Sequence, residues 1–238
     1  MQNQKLSLVI PTYNEEEILG ETIKTALAFL DTQCDGESEL IVSDDGSTDR
    51  TRAIAQSAGD TRVRVVSHMP NRGKGSAVRE GVLAATGDVI VCTDADLAYG
   101  LAVVPGMLTL LSGGADIVAG SRELHPEGYA DYPFLRLAAS RTFHFITGRM
   151  SGFAYDTQCG IKAYSRAAAQ AVFTRCQIDG FAFDFEVLML ADKLGLRVVE
   201  YPVKIVNHRD SKVHVLRDSV RMFRDIRKIT RSVKERFD

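Results

Sequence analysis

The stretch "IVCTDADLAYG", residues 90–100, places two aspartates directly after an apolar run. A short apolar run of this kind is typical of a buried β-strand. The carboxylates of Asp94 and Asp96 would then lie at the end of the strand, where they either form a polar turn or bind a cation. The sequence on both sides of this stretch decides between the two interpretations.

The residues before this stretch repeat one pattern, a short apolar run followed by a longer polar or helix-like segment. The runs are "KLSLVI", "ELIVS", "VRVVS" and "DVIVCTD". This alternation predicts an α/β fold, with a mainly parallel twisted sheet and helices on both faces. Ligands of such sheets bind beyond the carboxyl ends of the strands. We expect the motifs that follow these strands to meet there: "PTYNE", "DDGSTD", "NRGKGS" and "TDAD".

Further elements are predicted from periodicity and capping residues. Ser47 or Thr48 is expected to cap the helix after the second strand. Later, "ADIVAGSR" and "RVVEYPV" are typical of strands, and "PFLRLAASRTFHFITG" and "FDFEVLMLADKLG" of helices. "YDTQCGIKAYS" is a loop or a short strand. We predict one domain over residues 1–212 and a basic amphipathic helical extension over 213–238.

The charge distribution separates the tail from the rest of the chain. The 238 residues have a net charge of -2, which does not suggest a nucleic-acid partner. Residues 212–238 hold nine Lys or Arg and four Asp or Glu, or +5, which leaves -7 for the remainder. A basic amphipathic helix can lie on an anionic membrane surface. The alternatives are a helix that packs on the domain and one that packs on a homodimer partner.

Several other classes of protein and site are disfavoured. The loop after the first strand has no glycine fingerprint for dinucleotides, and His68 stands where a Walker A loop needs glycine. No apolar run approaches the length of about 18 residues that a membrane span requires. The N-terminal residues turn acidic too early for a signal peptide.

Two acidic pairs are candidate ligands. On an extended chain Asp94 and Asp96 would point to the same side, and hard oxygen ligands suit Mg²⁺ or Mn²⁺ when substrate phosphates complete the shell. Asp44 and Asp45 follow the second strand. One of them can cap a turn, and a carboxylate there can also accept a hydrogen bond from a base or a ribose hydroxyl.

The chain resembles the family 2 glycosyltransferases of the GT-A fold. The resemblance covers about residues 5–212 and rests on ordered motifs: "VIPTYNEEE", "VSDDGSTD", "NRGKGSAVREG", "TDADL", "AGSR", "DTQCGIKAYSR" and "FAFDFEVLMLA". "DTQCG-x-K" followed by "FDFE" is most similar to the dolichyl-phosphate glucosyltransferase branch. The resemblance implies an inverting transfer of a hexose from a donor such as UDP-glucose or GDP-mannose to a polyprenyl or dolichyl phosphate. It also implies a peripheral protein on the cytoplasmic face of a membrane.

The resemblance also implies which residues bind the donor and the metal. Asp94 and Asp96 would bind Mg²⁺ or Mn²⁺ at the donor diphosphate. Many relatives have a polar residue two positions later, whereas this chain has Ala98, so His208 is a candidate further ligand. The alternative for His208 is an exposed loop histidine. The donor-binding residues would be Pro11, Tyr13, Glu15, Asp44, Asp45, Lys74 and Ala95.

On the acceptor side, the resemblance implies that Arg122, Arg136 and Ser140 receive the phosphate. Arg136 and Ser140 share one helix face by their i,i+4 spacing, and the fork of an arginine suits a phosphate. Asp184 and Glu186 are further candidates. On a helix, positions two apart are separated by about 200°, so both can face one site only if this segment is a loop.

Two other functions remain open at this stage. The same donor chemistry with a soluble or glycan hydroxyl acceptor would need Asp184 or Glu186 as a general base. Glu186 has the simpler interpretation of an acidic residue at a helix start. The third possibility is a non-catalytic protein that binds nucleotide sugars, which the intact Asp94 and Asp96 disfavour.

Overall fold

The computed structural model describes residues 4–33, 37–130, 155–207 and 215–237. Within these ranges one seven-stranded sheet forms the centre of the molecule. Its strands are β1 (Leu6–Thr12), β2 (Ser38–Asp44), β3 (Val63–Ser67), β4 (Val89–Cys92), β5 (Ile117–Ser121), β6 (Lys162–Ser165) and β7 (Val198–Pro202). The helices are α1 (Leu19–Gln33), α2 (Thr51–Gln56), α3 (Lys74–Ala84), α4 (Val104–Ser112), α5 (Arg166–Phe173), α6 (Phe183–Lys193) and α7 (Val215–Phe237).

The strands lie in the order β3-β2-β1-β4-β6-β5-β7. The first four strands pair in parallel, and β5 pairs with β7 in parallel, whereas β6 runs antiparallel to both of its neighbours. Because the chain leaves β1 toward β2 and later returns to β4 on the other side, the direction of winding changes between β1 and β4. A crevice for ligands is expected at the carboxyl ends of these two strands.

Helices cover both faces of the sheet, as the alternation in β1 illustrates. Leu8 and Ile10 belong to one buried cluster, which also contains residues of α1 and α4. Val9 points to the opposite face, into a second cluster with residues of α3, α5, α6 and α7. Successive side chains of a strand point to opposite faces, so one strand contributes to two cores. The predicted mainly parallel sheet with helices on both faces is therefore confirmed.

The segment 155–165, predicted as a loop or a short strand, is a loop that leads into the short strand β6, between β4 and β5. Other elements differ from the sequence-based expectations. Two helices were not anticipated, α4 and α5, because both are short, with nine and eight residues, although Pro105 in the first turn of α4 and the capping residue Ser165 before α5 are start signals. The helix predicted from "PFLRLAASRTFHFITG" lies outside the described residues.

The predicted cap of α2 is wrong. This helix begins at Thr51, after Arg50, and neither Ser47 nor Thr48 caps it. Both residues instead bind the loop after β1: Ser47 Oγ accepts a hydrogen bond from the Asn14 amide, and the Thr48 amide donates to Asn14 Oδ1. Contacts with a distant loop thus replace the local capping bond.

The last helix, α7, packs on the domain. Ile226, Ile229 and Val233 are buried in the cluster that contains the apolar side chains of α6. The predicted boundary at residues 212 and 213 falls outside the described part of the chain. Among the described helices, none is long and apolar enough to cross a membrane.

Candidate functional site

A pocket opens at the carboxyl ends of β1 and β4, where the sheet topology predicts a ligand crevice. It is lined by two lysines, two aspartates and several apolar side chains. The lining residues are Pro11, Lys74, Val78, Cys92, Thr93, Asp94, Gly160, Lys162, Tyr164, Phe183 and Asp184.

Lys74 and Asp94 meet inside this pocket. The Lys74 ammonium, at the start of α3, lies 2.6 Å from Asp94 Oδ1. Burial alone would lower the pKa of Lys74, but the negative charges of Asp94 and Asp184 outweigh burial and raise its pKa to about 12. The pocket therefore holds a fixed positive charge beside the carboxylate of Asp94, and Lys74 is a predicted residue that the structure brings into the site.

The two aspartates of "TDAD" lie on a turn. Strand β4 ends at Cys92, and the Leu97 amide donates to the Asp94 carbonyl at 3.0 Å, which closes a turn over residues 94–97. The expectation of an extended chain at this point is therefore wrong. Burial raises the pKa of Asp96, and the nearby negative charge of Asp94 raises it further. The turn is strained at Leu97, whose φ of 48° is rare for a residue with a side chain.

The turn is held from two sides. The Thr22 hydroxyl of α1 donates to the Ala95 carbonyl at 2.6 Å, and Ala95 is buried. From the other side, Asn207 Nδ2 donates to the Leu97 carbonyl at 2.9 Å. His208, the predicted further metal ligand, lies outside the described residues.

Asp184 faces the pocket together with Lys162, a residue that sequence reasoning did not assign to the site. Lys162 Nζ lies 2.6 Å from Asp184 Oδ1 and donates to the Cys159 carbonyl at 2.6 Å. Burial raises the pKa of Asp184, and the charges of Lys162 and Lys74 oppose this effect. The lysine of "DTQCGIK" was a detectable signal, since a buried lysine on a strand needs a partner of opposite charge.

Glu186 points away from the pocket. Helix α6 begins at Phe183, so Asp184 and Glu186 lie on opposite sides of its first turn. Both Glu186 oxygens accept hydrogen bonds from the amides of Gln177 and Ile178, at 2.8–3.0 Å. The Glu186 carboxylate therefore holds the loop before α6, and Glu186 is not among the residues that line the pocket.

The donor motifs after β1 and β2 lie at the same edge of the sheet. Pro11 lines the pocket, and Tyr13 is 41% exposed. Glu15 is near enough to Asp96 for its charge to add to the rise in the pKa of Asp96. Asp44 is buried at the end of β2, where its Oδ1 accepts a hydrogen bond from the Ser47 amide at 3.2 Å.

Asp45 has a different environment from its neighbour Asp44. Its carboxylate accepts hydrogen bonds from the side chain of Asn71 and from the amides of Arg72 and Gly73. Asp45, which was predicted to bind the nucleotide, thus binds the segment that leads into α3, and it does not line the pocket.

Arg122 is engaged within the protein. Its Nε and Nη2 donate to the two oxygens of Asp156 at 2.8 Å each, and its guanidinium lies 5.4 Å from the centre of the Tyr129 ring. A fork bound in this way cannot simultaneously offer the same two donors to a phosphate. The other predicted acceptor residues, Arg136 and Ser140, lie outside the described residues.

The carboxylates at this site suit a divalent cation whose coordination shell is completed by the phosphates of a bound substrate. Asp94 and Asp96 are two carboxylates whose mutual repulsion raises the pKa of Asp96, after burial, and a cation between them would relieve that repulsion. Among the described residues, no cluster of three or more His, Cys, Asp or Glu side chains could hold a metal alone. Phosphate oxygens, water or an undescribed residue would complete the shell.

Comparisons with known proteins agree on one family. The family model "Glycosyl transferase family 2" matches residues 7–173. The dolichyl-phosphate beta-glucosyltransferase of Mus musculus is 36% identical over 88% of this chain and 70% of its own length. The enzyme of the same name from Drosophila melanogaster is 34% identical over 93% of this chain and 73% of its own length.

Solved structures show the same fold. Glucosyl-3-phosphoglycerate synthase from Mycobacterium tuberculosis, in complex with Mn²⁺, UDP-glucose and phosphoglyceric acid, is 25% identical. The two structures align with a TM-score of 0.71 over 97% of this chain and 80% of the other. The chain therefore belongs to glycosyl transferase family 2, and it is a GT-A glycosyltransferase that uses a nucleotide-sugar donor.

Proposed function

We propose that this family 2 glycosyltransferase moves glucose from UDP-glucose to the phosphate of a polyprenyl or dolichyl lipid. The observation that carries the proposal is the pocket itself, in which Lys74 and Asp94 meet at the ligand edge of the sheet. The names of relatives 34–36% identical to this chain support the lipid phosphate. The UDP-glucose complex of the structural neighbour supports the donor, with a GDP-hexose as the alternative.

The donor would bind along the edge formed by the loops after β1, β2 and β4. Pro11, Tyr13, Glu15 and Asp44 are proposed to hold the base and ribose. Lys74 would lie at the diphosphate, since its ammonium is beside Asp94. Asp94 and Asp96 would hold Mg²⁺ or Mn²⁺, which when bound acts as a Lewis acid on the leaving diphosphate. His208 is a proposed further ligand, supported by the bond from its neighbour Asn207 to Leu97.

The chemistry would be an inverting displacement at the anomeric carbon. A phosphate oxygen of the lipid forms the new bond to this carbon while the bond to the nucleoside diphosphate breaks. A phosphate acceptor is already anionic near neutral pH and needs no general base. Lys162 offsets the charge of Asp184 in the pocket, which lowers the repulsion against an incoming phosphate.

The acceptor phosphate would be bound by Arg136 and Ser140. Because Asp156 binds the Nε and Nη2 donors of Arg122, we propose that Arg122 holds the chain after β5 in place. Asp184 would lie near the reacting sugar, because it lines the same pocket as Asp94.

Because the acceptor is a lipid, the protein must contact a membrane. We propose that it does so at the cytoplasmic face. The buried residues of α7 cannot insert into lipid while they pack on the domain. Its exposed side carries basic residues, and each can contribute roughly 1 kcal/mol near an anionic surface. The alternative use of this side is a homodimer contact. The exposed basic residues are Arg224, Arg227, Lys228, Arg231, Lys234 and Arg236.

A single assay tests the transfer. The protein is incubated with radiolabelled UDP-glucose or GDP-mannose, Mn²⁺ or Mg²⁺, and polyprenyl phosphate in detergent, and the lipid is then extracted. Label in the organic phase that requires both the lipid phosphate and the metal is the expected result. Asp96→Asn is the matched control, and it should abolish transfer. Label that stays in the aqueous phase with every donor contradicts the proposal.

The assay also covers the hydroxyl-acceptor alternative. The structural neighbour was crystallised with phosphoglyceric acid, so 3-phosphoglycerate replaces the lipid in a parallel reaction. Transfer to 3-phosphoglycerate but not to the lipid would replace our proposal with a soluble acceptor. Donor binding without transfer to any acceptor would favour a non-catalytic protein.

A further inference from the structure

We propose that Asp45 is a positioning residue that aims Lys74 into the pocket, and that it does not itself bind the nucleotide. It acts through the segment 68–73, which we call the clasp loop and which joins β3 to α3. The inference rests on the proposed function, because it assigns Lys74 to the donor diphosphate. It also explains why the chain has two adjacent aspartates, Asp44 and Asp45, where β2 ends.

The carboxylate of Asp45 is saturated by the clasp loop. Asn71 Nδ2 donates to Oδ2 at 2.7 Å, and the Arg72 amide donates to Oδ1 at 2.9 Å. The Gly73 amide lies within 3.1 Å of both oxygens. A carboxylate has about four acceptor sites. Asp45 is 3% exposed, so little of it is left for a base or a ribose hydroxyl.

A second layer ties the same loop to the body of α3. His68 Nε2 lies 2.8 Å from Asp45 Oδ1, and His68 Nδ1 lies 2.8 Å from Glu80 Oε2. Glu80 also accepts a hydrogen bond from Arg72 Nη1 at 2.7 Å. His68 and Arg72, near the two ends of the clasp loop, therefore both contact Asp45, which follows β2, and Glu80, in the middle of α3.

The opposite side of the loop is fixed by a backbone carbonyl. The Asp179 carbonyl accepts hydrogen bonds from the amides of Gly75 and Ser76 at 2.7 and 3.3 Å. Gly73 has a φ of 128°, and a Cβ on this residue would overlap the same carbonyl. Residues 72–76 thus pass through a narrow space between Asp45 and Asp179.

These contacts determine what the "NRGKGS" loop can do. The amides of Arg72, Gly73, Gly75 and Ser76 all donate to oxygen atoms of the protein. They cannot form a cradle of amides around a phosphate, as the glycine loops of other nucleotide-binding proteins do. The loop reaches the pocket through the side chain of Lys74, 2.6 Å from Asp94. Because the Lys74 ammonium is already in position before the donor binds, fewer groups have to reorient during the reaction.

A double-mutant cycle between Asp45 and Lys74 tests the inference. Asp45→Asn, Lys74→Gln and the double variant are compared for UDP affinity by calorimetry with Mn²⁺ present. If Asp45 acts through Lys74, Asp45→Asn weakens UDP binding by about tenfold alone and by less than about twofold in the Lys74→Gln background. An equal loss in both backgrounds would show that Asp45 acts independently of Lys74, which overturns the inference.

A control and a milder variant complete the design. Asp49→Asn changes another carboxylate that binds backbone amides in the same region, those of Thr51 and Glu16. It does not touch the clasp loop, so its effect should be the same in both Lys74 backgrounds. If Asp45→Asn fails to fold, as judged by circular dichroism, Glu80→Gln takes its place in the cycle, with smaller but still coupled effects. Absence of coupling for Glu80→Gln would then overturn the inference.

The readout separates this inference from the proposed function. UDP affinity does not depend on which acceptor the enzyme uses. A wild-type protein that transfers no sugar to lipid would contradict the proposed function and leave the cycle measurable. A lipid transferase whose cycle shows no coupling would contradict only the role of Asp45.

Discussion

The carboxylate of Asp94 lies between Lys74 and Gly160. The Lys74 ammonium is 2.6 Å from Oδ1, and Oδ2 occupies the space that a Cβ on residue 160 would fill. Lys74 follows the edge strand β3, Asp94 follows the central strand β4, and Gly160 precedes β6. Three segments that are distant in sequence therefore determine where one carboxylate points. The position of the Asp94 carboxylate therefore depends on the sheet topology. Substitution of Gly160 tests whether activity depends on this position.

Gly160→Ala should reduce activity while leaving the protein folded. A Cβ at this position would overlap the Asp94 carboxylate and push it away from its present place. We expect kcat/KM to fall by about tenfold or more, since small displacements of catalytic groups have effects of this order. The measurement is steady-state transfer from UDP-glucose, together with Mn²⁺ affinity.

The control for this variant is Gly20→Ala in α1. A Cβ there would meet only a methyl carbon of Ile54 at 3.9 Å, an ordinary contact. Activity should be unchanged and stability should rise slightly, because alanine favours a helix over glycine. Equal activity of Gly160→Ala and the wild type would mean that Asp94 does not need its present position.

Asp184→Asn and Glu186→Gln should differ in their effect on activity. Asp184 lines the pocket beside Lys162, so its variant should lower kcat, and it should also lower the free energy of unfolding because it leaves the buried Lys162 ammonium without this carboxylate. Glu186 binds the amides of Gln177 and Ile178, so its variant should lower the free energy of unfolding by roughly 1–3 kcal/mol. Urea denaturation and transfer assays on both variants make the comparison. A large loss of kcat in a stable Glu186→Gln variant would restore Glu186 to the site.

Glu39→Gln should remove a stabilising contribution that depends on pH. Burial alone would raise the pKa of Glu39, but hydrogen bonds from Ser7, Thr86 and Arg64 outweigh it and lower the pKa from 4.5 to about 2. Because the folded pKa is the lower one, the contribution is fully present above pH 4.5 and is lost as the pH falls through about 2. At pH 7 the substitution should cost about 3 kcal/mol.

Denaturation curves at pH 7 and pH 3 measure this effect. The difference between the wild type and Glu39→Gln should shrink at pH 3. Glu21→Gln is the control, since Glu21 is exposed in its pair with Lys24 and should contribute almost nothing. A difference that stays constant with pH would contradict the assigned cause.

Arg122→Lys should destabilise the protein through Asp156. The pair is buried, and Arg122 outweighs burial to hold the pKa of Asp156 below its ordinary value. A lysine cannot make the two parallel hydrogen bonds, so we expect a loss of roughly 2–4 kcal/mol. Arg231→Lys changes an exposed arginine that pairs with Glu235, and it should alter stability by less than about 0.5 kcal/mol. A normal unfolding curve for Arg122→Lys, with weaker binding of the lipid phosphate, would return Arg122 to acceptor binding.

Much of the architecture could be predicted, because periodicity and strand ends are local properties. The first four strands and the meeting of the motifs "NRGKGS" and "TDAD" at the carboxyl edge of the sheet were expected. The short helices α4 and α5 and the antiparallel direction of β6 were not, since they depend on packing against elements far away in sequence. Lys162 was missed for the same reason, because its partner Asp184 lies on another element.

The sequence by itself determined which chemistry collects at the ligand edge, since parallel strands place the residues that follow them at one side of the sheet. Only the tertiary structure decided which carboxylate of each pair faces the pocket. Asp184 lines it and Glu186 does not, because α6 begins before both. Asp45 binds the clasp loop, because Asn71, Arg72 and Gly73 bring their donors to it from another βα unit. The direction of a side chain depends on partners that adjacent residues do not specify.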